Sequence, residues 1–282
     1  MSAARDSGPR AEVIGDPIEH SKSPLIHGFW LDKLGLAGDY GAVRVEPGRI
    51  PDYLDSRRAD PDWRGCNVTV PHKETMALLC DALDPRTAVI GAVNTVIAQG
   101  GGRLLGTNTD IDGIAAAVEG IDLRGRRVAL IGAGGAARAA MAFLSKQGCG
   151  RISVLARTPA KAENAARECR AKIAALRFQP RSGAFQEAAL VINATQLGMA
   201  GQDPMPTFVL DELGTAASDA RVFDMVYAPL ETELLAAARA RGLGTADGLV
   251  MLIGQAAKAF ERFFGRPAPR EHDDELRTLL TA

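Results

Sequence analysis

A glycine-rich segment in the middle of the chain is typical of a site that binds the pyrophosphate of a dinucleotide. It reads Gly132-Ala133-Gly134-Gly135-Ala136-Ala137 and follows the apolar stretch Arg127–Ile131. In a strand–turn–helix unit, Gly132 permits the tight turn and Gly134 lets the backbone approach a pyrophosphate at the helix start. A further apolar strand, Arg151–Ala156, completes the expected pattern. The segment predicts a dinucleotide-binding domain, and the alternative is a glycine turn that binds nothing.

The residues after the second of these strands indicate which dinucleotide binds. NAD sites usually place an acidic residue here, which accepts hydrogen bonds from the ribose 2′-hydroxyl. This chain has Ala156-Arg157-Thr158 instead, followed by Lys161. A guanidinium binds phosphate through a planar fork and an ammonium adds charge, so the sequence predicts NADP. The alternative is that both basic side chains are solvated at a helix start.

Polar side chains are also concentrated beside the ends of other apolar segments. The segments are His20-Ser21-Lys22-Ser23-Pro24, Asn67-Val68-Thr69-Val70-Pro71-His72-Lys73, Ala92-Val93-Asn94-Thr95, Asn108-Thr109-Asp110 and Asn193-Ala194-Thr195. Each has an ordinary structural explanation when it is taken alone. Ser21 and Ser23 could cap a helix, and Asp110 could be an N-cap. The remaining residues could be solvated or could stabilise turns.

Taken together, these segments resemble the shikimate dehydrogenase family. The resemblance covers roughly Val13 to Phe264 and rests on the ordered segments HSKSP, NVTVPHK, AVNT, NTD, GAGGAARA, NAT and DGLVMLIGQAAKAF. It implies an N-terminal substrate-binding domain, a Rossmann-type doubly wound NADP-binding domain and an active site in the cleft between them. The implied reaction is the reversible NADPH-dependent reduction of 3-dehydroshikimate to shikimate, which belongs to chorismate and aromatic amino acid biosynthesis.

The resemblance also implies a role for individual residues. Lys73 and Asp110 would be the catalytic pair, and both would contact the substrate. The other implied substrate contacts are Ser21 and Ser23 to the carboxylate, Tyr227 closing over it, and Asn67, Thr69, Asn94 and Gln255 to the ring hydroxyls. The implied cofactor contacts are Gly132, Ala133, Gly134, Gly135, Ala136, Ala156, Arg157, Thr158, Lys161, Ala194, Thr195, Met225, Gly248 and Met251.

The reaction needs a pair such as Lys73 and Asp110. Oxidation of a secondary alcohol removes a hydride and a proton, and a lysine can accept that proton or return it in the reverse direction. Asp110 could hold the lysine and the hydroxyl in line. A site that bonds several hydroxyls would reject analogues that lack them.

The sequence departs from the family pattern at two places on the cofactor side. Ala156 stands where the family often has Asn, and Lys161 stands where a second Arg is common. Gln196 follows Thr195 where Ser is frequent. The first departure predicts a softer preference for NADP than is usual in the family, and the second affects one of the implied cofactor contacts.

The apolar segments alternate between strand-like and helix-like along the whole chain, which predicts an α/β fold with mainly parallel sheets. We expect a substrate-binding domain over residues 11–109, completed by helices within 247–282, and an NADP-binding domain over 110–246. Strands are predicted over Arg64–Val70 and Ala92–Ala98, among others. The first ten residues are predicted to be a disordered lead-in without the apolar stretch of a signal peptide.

Composition narrows the class of protein further. The 282 residues include 33 basic and 34 acidic side chains, so nothing favours nucleic acid or a membrane surface as a partner. The 4 cysteines and 4 histidines lack the spacing of zinc ligands. We therefore expect reduced thiols, no metal and a cytoplasmic enzyme, either a monomer or a homodimer.

Two other functions remain open from the sequence. A paralogue could oxidise quinate or an amino-substituted relative of shikimate, with relaxed use of NAD. A protein that senses NADP without catalysis is the alternative from another class, but it would need neither Lys73 nor Asp110.

Overall fold

Two α/β units make up the chain. In the computed structural model, which describes residues 8–282, the first unit contains residues 8–109 together with Gln255–Ala282. The second unit contains Asp110–Gly254. Residues 1–7 of the predicted lead-in lie outside the described residues. The predicted α/β class with two sheet-containing domains is confirmed.

The first unit is built on a mixed six-stranded sheet in the order β2-β1-β3-β5-β6-β4. The strands are β1 (Arg10–Gly15), β2 (Asp39–Arg44), β3 (Trp63–Val68), β4 (Ala82–Leu83), β5 (Thr95–Ala98) and β6 (Leu104–Thr107). β1 pairs in parallel with β2 and β3, whereas β5 is antiparallel to both β3 and β6. This arrangement brings the end of β3 and the start of β5 side by side.

Helices surround this sheet. They are α1 (Ser23–Leu34), α2 (Ile50–Arg58), α3 (Lys73–Leu79), α4 (Pro85–Ile90) and α11 (Asp273–Thr281). The long α10 (Gly248–Phe264) begins in the second unit and ends in the first. Pro24 is in the first turn of α1, where its missing N–H costs no hydrogen bond, and Gly35 ends the helix at φ 59°. Ser23, one of the two candidate helix caps, is the first residue of α1, and Lys22 is at the N-cap position.

The second unit has a six-stranded sheet in the order β12-β11-β10-β7-β8-β9, with every neighbouring pair parallel. The strands are β7 (Arg127–Ile131), β8 (Arg151–Ala156), β9 (Ala174–Arg177), β10 (Ala188–Asn193), β11 (Arg221–Asp224) and β12 (Gly244–Ala246). The helices are α5 (Asp110–Ala117), α6 (Gly135–Leu144), α7 (Pro159–Glu168), α8 (Thr207–Glu212) and α9 (Glu233–Ala240), with the first part of α10. This is the predicted doubly wound architecture.

Strand order determines where a ligand can bind in the second unit. The chain runs outward through β7, β8 and β9, then returns to place β10 on the other side of β7. Ligands of such sheets bind beyond the carboxyl ends of the strands, at the point where the order reverses. That point lies between the ends of β7 and β10.

Two predicted strands are shorter than expected. The strand predicted over Arg64–Val70 ends at Val68: the Thr69 N–H still donates to the Ile14 carbonyl of β1 (2.9 Å), but the Thr69 carbonyl accepts from His72 N in a turn (2.9 Å). The strand predicted from Ala92 begins at Thr95. Among residues 8–282, no helix combines the length and the apolar character needed to cross a membrane.

Candidate active site

The first unit contains a buried network of amide and hydroxyl groups. Asn67 is paired with Thr95 in the β3–β5 register, and its Nδ2 donates to Thr95 Oγ1 (2.9 Å) and to the Asn94 carbonyl (3.3 Å). Its Oδ1 accepts from the Tyr40 hydroxyl (2.5 Å). All four side chains are buried. Sheet register therefore places the predicted residues Asn67 and Asn94 next to each other.

Asn94 connects this network to α10. Its Nδ2 donates to Thr109 Oγ1 (3.0 Å) and to Gln255 Oε1 (3.4 Å), and its Oδ1 accepts from the Thr109 N–H (2.7 Å). Thr109 Oγ1 lies 3.3 Å from Gln255 Oε1. Three predicted substrate contacts, at 67, 94 and 255, thus belong to one hydrogen-bonded cluster. Thr95, Thr109 and Tyr40 in that cluster were not among the predicted site residues.

The two predicted carboxylate ligands lie at the start of α1. Ser21 is half-buried, and its Oγ accepts from the Ser23 N–H (3.3 Å), so it does act on the first turn of the helix. A hydroxyl that accepts this bond still has an O–H to donate, which is the group that a carboxylate requires. Ser23 is buried, and its hydrogen bond with the Tyr40 hydroxyl lowers the pKa of Tyr40, opposing the larger rise caused by burial. The helix-cap alternative for Ser21 and the binding role are therefore compatible.

Lys73 is the first residue of α3 and is half-buried. Its carbonyl accepts from the Val93 N–H (2.8 Å), next to Asn94 in the chain. The preceding His72 is buried, with Nε2 2.6 Å from the Val45 carbonyl. These contacts fix the backbone from which the lysine side chain extends. Asp110 is buried at the start of α5 and is the first residue of the second unit.

In the second unit, the predicted glycine turn lies at the reversal point of the sheet. Gly132 has φ +112°, and a Cβ there would lie 2.9 Å from Thr195 Cγ2 and 3.1 Å from the Ala194 carbonyl oxygen. A Cβ at Gly134 would meet nothing within 4 Å, so the backbone there faces open space. Gly134 also precedes α6 without a side-chain cap on its first N–H groups. This geometry fits a pyrophosphate, which the start of a helix binds through backbone N–H groups.

The end of β8 provides the basic groups predicted for a 2′-phosphate. Ala156 is the last, buried residue of the strand, and Arg157, Thr158 and Lys161 are exposed. The Lys161 N–H donates to the Thr158 carbonyl (3.0 Å), so both basic residues belong to the same short turn before and into α7. The glycine turn follows β7, and the turn with the two basic residues follows β8. Because β7 and β8 are neighbouring parallel strands, the two turns lie at the same edge of the sheet. The residues present therefore fit NADP.

The remaining predicted cofactor contacts follow β11 and β12. The Met225 N–H donates to the Asn193 carbonyl (3.0 Å). A Cβ at Gly248 would lie 2.5 Å from the carbonyl oxygens of both Met225 and Val226, so only glycine fits there. Met251 is buried in the first part of α10. Tyr227 is half-buried, and burial raises the pKa of its hydroxyl, which remains a proton donor.

The cysteine thiols and the possible metal ligands are the other potentially reactive groups. Burial raises the pKa of the Cys66 thiol and raises that of Cys80 to about 12, and all 4 cysteines are free. Within residues 8–282, no group of three or more His, Cys, Asp or Glu side chains could hold a metal ion.

These features define a class: an α/β oxidoreductase with a buried cluster of amide and hydroxyl groups in its first unit and a dinucleotide-binding second unit of the Rossmann type. Family models match three parts of the chain. They describe a shikimate dehydrogenase substrate-binding domain (residues 13–96), a shikimate/quinate 5-dehydrogenase domain (114–199) and a shikimate 5′-dehydrogenase C-terminal domain (248–273).

Individual relatives agree with these models. The shikimate dehydrogenase (NADP(+)) of Sphingopyxis alaskensis is 49% identical over 278 residues, which cover 98% of each chain. The crystal structure of Thermus thermophilus shikimate 5-dehydrogenase in complex with NADP(H) and shikimate is similar, with a TM-score of 0.83 and 35% identity over 96% of this chain and 99% of that one. Quinate dehydrogenase from Corynebacterium glutamicum, in complex with NAD, has a TM-score of 0.85 and 28% identity over 96% of this chain and 99% of that one. The chain belongs to the shikimate dehydrogenase family.

Proposed function

We propose that this chain catalyses the reversible NADPH-dependent reduction of 3-dehydroshikimate to shikimate, a step of chorismate and aromatic amino acid biosynthesis. The observation that carries the proposal is the buried network in which Asn67, Asn94 and Gln255 meet. A small polyol needs many uncharged hydrogen-bond partners, and this cluster concentrates amide and hydroxyl groups in one unit. The 49% identity with a shikimate dehydrogenase (NADP(+)) supports the same substrate.

We assign the substrate contacts by chemical group. Ser21 and Ser23 bind the carboxylate through their hydroxyls, with Tyr227 closing over it as a further donor. The ring hydroxyls bind to the four side chains that the resemblance implies, at Asn67, Thr69, Asn94 and Gln255. Because these partners are uncharged, their binding depends on matching donors with acceptors, and analogues without the hydroxyls leave buried groups unpaired.

Lys73 and Asp110 carry the proton chemistry in this proposal. NADPH, when bound, supplies the hydride for reduction, and NADP⁺ accepts it in the reverse direction. Lys73 gives a proton to the carbonyl oxygen as it is reduced, and takes the hydroxyl proton in the oxidation. Asp110 holds the lysine and the substrate hydroxyl in line, which contributes orientation to catalysis.

The cofactor contacts are assigned along the strand ends of the second unit. Gly132 to Ala136 hold the pyrophosphate, and Arg157 with Lys161 binds the 2′-phosphate beside Ala156 and Thr158. Ala194, Thr195 and Met225 border the rest of the dinucleotide, and Gly248 with Met251 borders the nicotinamide. We propose in addition that the enzyme works in the cytoplasm as a monomer or a homodimer.

A second candidate function is a quinate or shikimate dehydrogenase with relaxed cofactor use. The similarity to a quinate dehydrogenase in complex with NAD favours it. Ala156 agrees with relaxed cofactor use, because it replaces the polar Asn often found in the family and offers no side-chain hydrogen bond to a 2′-phosphate.

A four-way assay tests the proposal. Purified protein is given shikimate or quinate, each with NADP or NAD, and kcat/KM is measured from reduced nicotinamide absorbance. We expect kcat/KM to be at least about tenfold higher for the shikimate–NADP pair than for any other pair. A site that hydrogen-bonds several groups of its ligand discriminates between related ligands by this factor or more. Higher efficiency with quinate or with NAD would establish the second candidate instead. Absence of turnover with all four pairs would contradict both.

A further inference from the structure

A buried carboxylate connects two of the cofactor-side loops in the second unit. Asn193 and Asp224 are the last residues of β10 and β11, and they are direct partners in the parallel register. Both side chains are fully buried. Asn193 Nδ2 donates to Asp224 Oδ1 (2.9 Å). The two strand ends are therefore joined by side chains as well as by the backbone ladder.

The Asn193 amide determines the shape of the loop after β10. Its Oδ1 accepts from both the N–H (3.0 Å) and the hydroxyl (2.6 Å) of Thr195. Thr195 Oγ1 accepts in turn from the Leu197 N–H (3.2 Å). Thr195 is also the residue whose methyl group lies 2.9 Å from the Cβ position of Gly132. The orientation of one amide thus fixes a side chain that packs against the glycine turn.

The Asp224 carboxylate holds the loop after β11 in the same way. Oδ1 accepts a second bond from the Val226 N–H (3.0 Å), and Oδ2 accepts from the Thr232 hydroxyl (2.7 Å). Thr232 is the N-cap of α9, where its Oγ1 accepts from the Leu235 N–H (3.3 Å). Val226 lies between Met225 and Tyr227, which are assigned to the cofactor and the substrate. One carboxylate therefore ties together the β10 loop, the β11 loop and the start of α9.

The three groups that contact the Asp224 side chain are all hydrogen-bond donors, so this position requires an acceptor. A carboxylate can accept all three bonds, whereas an amide of the same shape has one acceptor oxygen and one NH₂. An NH₂ turned toward Asn193 would force that amide to flip away from the N–H and hydroxyl of Thr195. An NH₂ turned toward Thr232 would deprive the threonine hydroxyl of its acceptor. Burial raises the pKa of Asp224, and the bonds from Thr232, Val226 and Asn193 oppose that rise.

We infer that Asp224 is a positioning residue for the reaction: through Asn193 and Val226 it sets the loops that bear Thr195, Met225 and Tyr227. This inference rests on the proposed function for the roles of those three residues. Asp224 itself contacts neither reactant in this account. It acts by holding two adjacent loops in one arrangement, and Thr232 acts with it from the start of α9.

The first test is Asp224→Asn compared with Glu212→Gln. Glu212 is another carboxylate of the second unit, which accepts from the N–H (3.3 Å) and the hydroxyl (3.0 Å) of Ser182. We expect Asp224→Asn to lower kcat/KM for NADP by about tenfold to a hundredfold, the usual consequence of a misplaced binding group. We expect Glu212→Gln to stay within about twofold of wild type. Thermal unfolding is measured for both, and kinetics are compared well below each melting temperature.

A second pair of variants separates positioning from loss of stability. Thr232→Val removes the hydroxyl that Asp224 accepts, and Thr232→Ser keeps it. We expect kcat/KM for NADP to stay within about threefold of wild type in the serine variant and to fall about tenfold in the valine variant. The reason is that serine keeps the hydroxyl that bonds to Asp224, whereas valine has none. This pair also decides the question if Asp224→Asn does not fold. Equal kinetics for Thr232→Val and Thr232→Ser would overturn the inference, as would wild-type kinetics for a folded Asp224→Asn.

Direct binding of NADPH, followed by its fluorescence, distinguishes this inference from the proposed function. If the wild-type protein binds NADPH but does not turn over shikimate, the proposed function fails. In that case a weaker NADPH affinity in Asp224→Asn and Thr232→Val still supports positioning by Asp224. Unchanged affinity in both variants contradicts it.

Discussion

Lys73, the proposed proton carrier, is held in place through its backbone. It begins α3, its carbonyl is held by the Val93 N–H, and Val93 precedes the Asn94 of the polar network. The backbone of Lys73 is thus bonded to the segment just before β5, which carries Asn94, a proposed substrate contact. A side chain that must meet a particular hydroxyl benefits from such a fixed origin, because acid–base catalysis requires hydrogen-bond reach.

Replacement of Lys73 by alanine tests this role. We expect kcat for shikimate oxidation to fall by about two to four orders of magnitude, the usual contribution of a general acid–base group. The KM for shikimate should change much less. Glu74→Ala is the matched control, because Glu74 is exposed on the same helical turn. A Lys73→Ala enzyme with nearly normal kcat and a greatly raised KM would make Lys73 a binding residue only.

Among single residues, those in recognisable segments could be predicted and those defined only by neighbouring strands could not. Asn67, Asn94 and Gln255 belong to distinctive segments, and the structure joins them in one network. Asp224 and Thr232 were not predicted, because their link to Asn193 depends on β10 and β11 being neighbours. The available signal was a polar residue ending each of two buried apolar strands.

At the scale of elements, the turn between β8 and α7 is expected to select the dinucleotide. Arg157 and Lys161 are exposed at the strand end next to the glycine turn. The residue before Arg157 is Ala156, the last residue of β8, which has neither a carboxylate nor an amide in its side chain. We therefore expect the selection of NADP to depend on the two basic side chains.

Arg157→Asp should reverse this selection. A carboxylate would repel the 2′-phosphate and offer an acceptor to a free 2′-hydroxyl. We expect the ratio of kcat/KM for NADP over NAD to fall by at least about a hundredfold, since a strong charged contact is replaced by a repulsion. Lys161→Ala should lower the ratio less, because an ammonium lacks the planar fork. The assay is run at low and high salt, where screening should narrow the wild-type preference. An unchanged ratio in Arg157→Asp would refute the assignment of Arg157 to the phosphate.

Long apolar elements could be predicted from the sequence, but short ones could not. The predicted bounds of β7 and β8 agree with the structure, and the helices predicted within 247–282 are present as α10 and α11. The two-residue β4 is too short for any periodicity. β9 is a half-buried edge strand, and its short apolar run at 173–176 does not distinguish a strand from a helix. Their positions depend on pairing with β6 and β8, which is a tertiary effect.

At the scale of the whole molecule, the chain passes between its two units at positions that belong to the proposed site. One passage separates Thr109 from Asp110, and the other separates Gly254 from Gln255 within α10. Thr109 and Gln255 both bond to Asn94 in the first unit. The proposed catalytic Asp110 is therefore covalently adjacent to the substrate network. Both passages of the chain therefore lie next to residues that the proposed function assigns to the substrate.

A crystal structure with shikimate and NADP bound tests the central claim most directly. It measures two distances: from Lys73 Nζ to the substrate hydroxyl that is oxidised, and from the carbon bearing it to the nicotinamide carbon that receives the hydride. We predict about 2.6–3.2 Å for the first and about 3–3.5 Å for the second, with the carboxylate at Ser21 and Ser23. Shikimate bound away from Lys73 and the Asn67–Asn94–Gln255 cluster, or a dinucleotide bound away from the Gly132 turn, would contradict the account.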